Sequence, residues 1–569
     1  MRRVVAPVVA LAVLAAAPAP AWGHATVEGT TPARGAQLER APERVVFRFS
    51  EPVEAAFGAV QVYDQGGDRV DSGGASHPGG RSDEVAIGLR DGLGDGTYTA
   101  TFRVVSADSH PVSGGFVFTV GEGGAPAATL DQLIDAGSAG RATEVGFGIV
   151  RGLSYLALAL AIGGMAFAAA VWRPALRTRA GAGDGWRLAA EAFAGRARTI
   201  TLGAVALGIV ASALGIVFQG AVASGESFWR ALEPDVIGEV LGTRFGTVWG
   251  LRLVAWVVLG GLLGLSLPRL RSTGLAAVSA FLCLTPALAG HASTLPPGWL
   301  LVPANFLHVT AMSIWVGGVA TLLLALPAAT RRLEPAERTG LLATVVNGFS
   351  SIALVAVGAL VASGAVQAIA EVDALADLVD TAFGRAILIK IGLAAALIAL
   401  GAWNRRRVRP RLAALDAAGE TPGAAGVELR RTLRAEIALM AAVLGVTAAL
   451  VSYAPATGAT GPFSASERIG PARLELTVDP ATAGASEMHL YMFDRRTGAQ
   501  FGRVEELTVS ARLPDREIGP LGLDAEKAGP GHYVVRRAAL SPAGDWRLDV
   551  TARVSEFDAY TARLEVPVR

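Results

Sequence analysis

Three textures of hydrophobic and polar positions follow one another along the chain. From residue 24 to about 122, short runs alternate apolar and polar residues, as in Arg44-Val45-Val46-Phe47-Arg48-Phe49 and Thr97 to Val105, with Gly, Pro and Asp clusters between them. A period of two sends successive side chains to opposite faces of a strand, so this segment predicts an antiparallel β sandwich. From 145 to 455 the alternation gives way to apolar stretches of about 20 residues, the length a helix needs to cross a bilayer. They are read at 146–171, 200–221, 245–267, 273–290, 299–326, 341–366, 383–403 and 434–454 and predict a bundle of eight transmembrane helices. From 461 to 569 alternation returns in Arg473 to Val478, Tyr533 to Val535 and Trp546 to Val550, which predicts a second β sandwich. A linker at 123–144 joins the first two parts, and the fold class is multi-domain.

The first 23 residues have the layout of a secretory signal. Arg2 and Arg3 precede an apolar run from Val4 to Ala17, and Pro18 and Pro20 end it. Ala21 and Gly23 supply small residues at −3 and −1 of a cut after Gly23, which makes His24 the mature N-terminus. The other reading, an uncleaved anchor, keeps the His24 nitrogen in a peptide bond. Export of the first domain puts the connections after spans one, three, five and seven in the cytoplasm, where Arg should collect. The first of these carries Arg173, Arg177, Arg179, Arg187, Arg196 and Arg198, and the last carries Arg405, Arg406, Arg407, Arg409, Arg411, Arg430 and Arg431. The opposite connections hold Glu226, Glu233, Asp235 and Glu239, then Glu371, Asp373, Asp377 and Asp380. A multi-pass protein of the plasma membrane is expected, with both terminal domains extracytoplasmic and the lipid bilayer as its surroundings.

Composition agrees. Of 569 residues, 52% are hydrophobic and 17% charged, too apolar for an ordinary soluble chain. Lys and Arg number 50 against 49 Asp and Glu, so no basic field exists to hold nucleic acid. One cysteine, Cys283, excludes a disulfide framework and a Cys-rich metal site. No Gly-x-x-x-x-Gly-Lys-Ser/Thr loop provides for ATP, and no catalytic constellation is visible, so an enzyme is not expected.

Asp108 and His110 lie two apart after a strand-like run, which turns both side chains to one face of an extended backbone. A freed His24 adds its α-amine and ring Nδ1 as a chelating pair. Three nitrogens and a carboxylate oxygen suit square-planar Cu(II), which also leads the affinity order of divalent first-row ions. The segment HATVEGTTPARG, the run FRFSEPVE and the stretch GTYTATFRVVSADSHPVSGGFVF resemble the CopC family of periplasmic copper carriers over residues 24–121. That resemblance implies Cu(II) ligation by His24, Asp108 and His110, with Glu51 supporting the ligands. Some relatives carry a Met-rich loop for Cu(I). This domain has no methionine between His24 and Val120, so no Cu(I) site is expected in it. His77, in a Gly- and Ser-rich loop, reads as a solvated residue.

Polar groups at membrane depth are costly and mark candidate sites. His308 lies roughly 13 Å below Trp299, where the fifth span enters from outside. Asn305, His308, Met312 and Trp315 recur at helical spacing on one face. An imidazole and a thioether suit copper, and His291 at the outer end of span four could hand an ion to them. A packing role for His308 and Met312 stays open on spacing alone. Arg252 and Lys390, each about seven residues inside a span, are read as snorkelling to the headgroups. The stretches GHASTLPPGWLLVPANFLHVTAMSIWVGG and FGRAILIKIGLAAALIALGAWNRR resemble the CopD family of copper-resistance membrane proteins over residues 145–455. Joined CopC-like and CopD-like parts resemble the YcnJ-type copper-acquisition proteins, which implies copper uptake, with an exported copper chaperone or a reductase as partner. Two alternatives remain: a haem-binding electron carrier with His291 and His308 as axial ligands, and a resistance protein that sequesters copper outside. In the last domain Met488 and Met492 share a strand face opposite His489, and His532 is distant in sequence. The methionines are therefore read as core.

Overall fold

Val45, Phe47 and Phe49 of strand β3 (Arg44–Phe49) are buried, while Arg44 and Arg48 face solvent, as a period of two requires. A computed structural model of the chain describes residues 25, 27–33, 36–107, 111–121, 133, 139–181, 183–295, 297–371, 377–380, 382–450, 463–479, 481–495, 501–529 and 531–568. The helices and the β domains fall into two compact units.

In the N-terminal domain, β1 (Val27–Thr31) pairs with β3, which continues to β7 (Glu84–Leu89) and β6 (Asp71–Ser76). The facing sheet runs β2 (Gln37–Leu38), β9 (Pro111–Val120), β8 (Gly96–Ser106) and β4 (Val53–Glu54), with β5 (Val60–Tyr63) also on β8. Phe47 and Phe49 from the first sheet meet Phe102 of the second at ring-centroid distances of 5.0 and 5.3 Å, and Phe47 meets Phe116 at 5.3 Å. Such tilted and edge contacts close the sandwich expected from the alternation. One pairing differs from an all-antiparallel expectation: the two-residue β2 runs parallel to β9.

The membrane domain is built on helices α1 (Arg141–Leu158), α2 (Asp184–Ser224), α3 (Arg244–Leu263), α4 (Pro268–Leu288), α5 (Gly298–Leu324), α6 (Pro335–Glu371), α7 (Ala382–Trp403) and α8 (Gly423–Leu450). The helix begun by α1 runs on through two π turns, Ala159–Gly163 and Ala168–Trp172, to Arg179. Among the described residues, seven helices are long and apolar enough to cross a membrane. The eighth apolar stretch expected from the sequence, 434–454, starts on α8 and ends outside the described residues. Gly163 and Gly317 form a close crossing. A Cβ on Gly163 would lie 2.0 Å from the Ser313 carbonyl oxygen, and one on Gly317 2.0 Å from that of Ala159. Only hydrogen fits at either position, so α5 is held backbone to backbone against the first span.

Arg252 corrects its expected role. It does not reach for headgroups. Its side chain is 3% exposed, Nε donates to Thr285 Oγ1 at 2.7 Å, and the guanidinium stacks 4.4 Å from the Trp249 ring. A buried polar partner and an aromatic face replace the water that snorkelling would have sought.

The C-terminal domain has two antiparallel sheets. One is ordered β10 (Phe463–Ile469), β11 (Ala472–Asp479), β12 (Gly484–Asp494), β16 (His532–Leu540), β15 (Glu526–Gly529); the other β14 (Ile518–Leu523), β13 (Glu506–Leu513), β17 (Gly544–Arg553), β18 (Ala559–Val568). Leu474, Met488, Leu490 and Met492 from the first share one core with Val509, Trp546 and Leu548 from the second. Both methionines are core residues, as the alternation predicts.

Candidate metal centre

His24, Asp108 and His110 lie outside the described residues; the chain on either side of them does not. Val27 at the start of β1 is paired with Phe49, the last residue of β3. Three residues intervene before Val53 of β4, which is paired with Ser106 at the end of β8. Val105 in turn faces Pro111, the first residue of β9. The chain next to position 24 and the chain on both sides of 108–110 therefore reach the same end of the sandwich, bridged by the link from Phe49 to Val53. Glu51 stands in the middle of that link, half-buried. Ala25, beside position 24, is 2% exposed and packs in the sandwich core, so the described chain is anchored up to the edge of the candidate site. His77 is not merely solvated: its Nδ1 lies 2.7 Å from the Glu84 carbonyl oxygen, a contact that ties its loop to β7.

In the membrane domain a polar strip runs between α5 and α6. His308 Nδ1 is 3.2 Å from Ser363 Oγ, and Asn305 Nδ2 donates to Gln367 Oε1 at 2.7 Å. Gln367 Nε2 donates on to the Ser363 carbonyl at 3.1 Å, which makes the contacts continuous. Gly364 leaves room for the imidazole, since a Cβ there would sit 3.2 Å from His308 Cε1. The Asn305 Oδ1 atom is buried with no hydrogen-bond partner among the described residues. In an apolar medium such an oxygen is costly and stands ready for a cation or a donor.

The remaining membrane candidates are distributed differently. Met312 packs against the apolar cluster of Trp256, Leu282 and Cys283, and Trp315 belongs to a second cluster with Val319 and Phe349. The face expected to gather four side chains is thus divided among neighbouring helices. His291 opens the 3-10 turn His291–Ser293 after α4, and its carbonyl accepts from the amides of Thr294 and Leu295. Ser363 and Gln367 were invisible to spacing arguments on α5, because they come from another helix. Among the described residues, no group of three or more His, Cys, Asp or Glu side chains is arranged to hold a metal ion.

Family models match three segments of the chain: the CopC domain at 27–121, the copper resistance protein D-like N-terminal domain at 142–296, and copper resistance protein D at 343–450. The chain is a CopC–CopD fusion. The fusion is 27% identical over 557 residues to copper transport protein CutJ of Bacillus subtilis strain 168, covering 95% of each chain. Protein YobA of Escherichia coli strain K12 is 31% identical over 99 residues, which span 17% of the fusion and 80% of that protein. Copper resistance protein C of Escherichia coli is 29% identical over 110 residues, 18% of the fusion and 83% of that protein. The two segments matched by CopD-type models cover the helices that carry Arg252, His291 and the α6 side of the polar strip, and the multi-pass middle of the chain belongs to that family.

Proposed function

We propose that this fusion captures Cu(II) outside the cell through the His24 amine and ring, Asp108 and His110, and passes copper inward through an eight-span membrane domain. The observation that carries the reading is the meeting of the chain next to 24 with both flanks of 108–110 at one end of the sandwich, where Glu51 can support the ligands. A match along 95% of a copper transport protein supports transport over simple storage. Within the bilayer, the imidazole of His308, the hydroxyl of Ser363 and the bare oxygen of Asn305 supply the polar groups that a dehydrated ion needs. Both β domains are read as extracytoplasmic, and the C-terminal pair of sheets as a second sandwich. Uptake is the proposed direction, because a capture site outside, joined in one chain to a membrane domain, can load that domain from outside.

The N-terminal chelate is tested by length. The fusion prepared with His24 as its first residue should bind Cu(II) more tightly than the same chain with one glycine before it. The extra peptide bond removes the amine, and affinity should fall by on the order of 10- to 100-fold, the scale of loss that even outer ligand-supporting changes produce. Equal affinities in a competition titration would reject the amine as a ligand.

A further inference from the structure

A carboxyl group lies inside the membrane domain with no cation to balance it. Glu436 on α8 is 4% exposed and stands between Leu433 and Met440, one turn away on either side, both buried in the cluster that also holds Val408 and Leu412. The carboxyl's one hydrogen-bond partner among the described residues is Asn404, the first residue of the π turn Asn404–Val408 that follows α7. Asn404 Nδ2 donates to Glu436 Oε1 at 2.7 Å. The Asn404 Oδ1 atom is buried with no partner among the described residues.

Charged groups on the elements packed against α8 are engaged elsewhere or stand far along their helices. Arg405, next to Asn404, donates from Nη1 to the carbonyl and the hydroxyl of Ser350 on α6, both at 3.0 Å. Arg407 stacks over Trp403, Arg411 pairs with Glu428, and Asp416 pairs with Arg179. Arg430, Arg431 and Arg434 on α8 itself are exposed. Glu144 and Arg151 on α1, and Arg385 and Lys390 on α7, belong to the opposite halves of those spans. Among the described residues no charged side chain acts on the Glu436 carboxyl, Arg406 and Arg409 included.

An ionised carboxylate with a single amide hydrogen bond is costly in such surroundings. One proton removes both deficits. A carboxylic acid keeps an acceptor and gains an O–H donor, so Oε1 accepts from Asn404 Nδ2 while Oε2–H donates to the bare Asn404 Oδ1. We propose that Glu436 and Asn404 form a proton-binding site of the membrane domain, and that its proton is released when a copper ion leaves by the inner end. The proposal rests on the reading of the fusion as a copper importer, in which positions 404 and 436 lie at the cytoplasmic ends of spans seven and eight. The Oε2–H proton passes to water on that side, and the carboxylate left behind balances one charge of the departing cation. No electron moves.

The test has two arms on the full chain. Infrared spectra of the protein in detergent at pH 7 should show the carbonyl stretch of a protonated carboxylic acid, missing in Glu436→Gln and shifted in Asn404→Leu. Gln is chosen because its amide reproduces both hydrogen bonds to Asn404 and so keeps the packing. No difference between the unaltered chain and Glu436→Gln would overturn the proton site, and an unshifted band in Asn404→Leu would overturn the pairing. In proteoliposomes with the β domains outward, copper influx should fall as internal pH is lowered, by up to about tenfold per pH unit for the exchange of one proton. Glu436→Gln should lose this pH response, and Glu436→Asp, which keeps an ionisable carboxyl, should retain it. The same response in Glu436→Gln, or none in the unaltered chain, would overturn the exchange. An unaltered chain that carries no copper would reject the transport reading and the exchange with it, while the spectra still decide the proton site.

Discussion

His308 occupies a position that a single residue can define: an imidazole at membrane depth, held by a hydroxyl from the next helix. Its candidacy was legible from burial depth and residue type alone. Its partners were not, because helical spacing orders residues along α5 and says nothing of what α6 presents; Ser363 lies 55 positions further along the chain. Met312 shows the reverse limit. Residues four apart are offset by about 40° around a helix, enough for His308 to turn to α6 while Met312 packs against Trp256 and Cys283. If the polar strip conducts copper, His308→Ala should lower the transport rate by on the order of 10-fold or more, and leave Cu(II) binding by the N-terminal domain unchanged. Copper flux into proteoliposomes checks this, and an unaltered flux would return His308 to a packing role. Arg252 was misread at this scale for the same reason as Ser363 was missed: Thr285 and Trp249 come from packing and local stacking that composition does not reveal.

Strands and helices were the most legible level. Alternation located β3, β8 and β12, and apolar length located the spans, since burial on one face or all round leaves its period in the sequence. The π turns in the first span and the Gly163–Gly317 crossing were not read, because they depend on the backbone of a partner helix. An acid-sensitive clamp in the N-terminal sandwich was likewise invisible. Asp71 at the start of β6 accepts from the Val62 amide at 3.0 Å and from Arg69 at 2.7 and 3.1 Å. Burial alone would raise its carboxyl, but the Arg69 and Val62 hydrogen bonds outweigh it and hold the group below its usual value. The ionised form is therefore favoured by folding. This stability is fully present above the unfolded value of about 4 and is lost as pH falls through the lower folded value. Asp71→Asn should weaken the link from the start of β6 to the Val62 amide of β5 at pH 7 by about 1–3 kcal/mol and remove that part of the acid dependence. Hydrogen exchange at the Val62 amide measures it; equal protection in both chains between pH 7 and 4 would contradict the assignment.

At the scale of the molecule, the order of domains was the plainest message of the sequence, and the comparisons match that order: a CopC domain, then CopD-type segments. Legibility there came from texture, since a change of period from two to a continuous apolar run marks each boundary. What sequence could not supply was convergence. The gathering of the chain that flanks 24 and 108–110 at one end of a sandwich depends on strand register, and the meeting of His489 with His532 depends on β12 lying beside β16. Alternation correctly assigned Met488 and Met492 to the core, yet it left His489 without its neighbour. The proposed capture outside and passage inward would make the fusion an importer, and cellular copper decides between that and external storage. Copper per cell is to be measured at limiting external copper in cells with the protein, without it, and with the His110→Ala chain. Import predicts less copper in the cells lacking the protein and a matching deficit with His110→Ala; more copper in the cells lacking it would contradict the account.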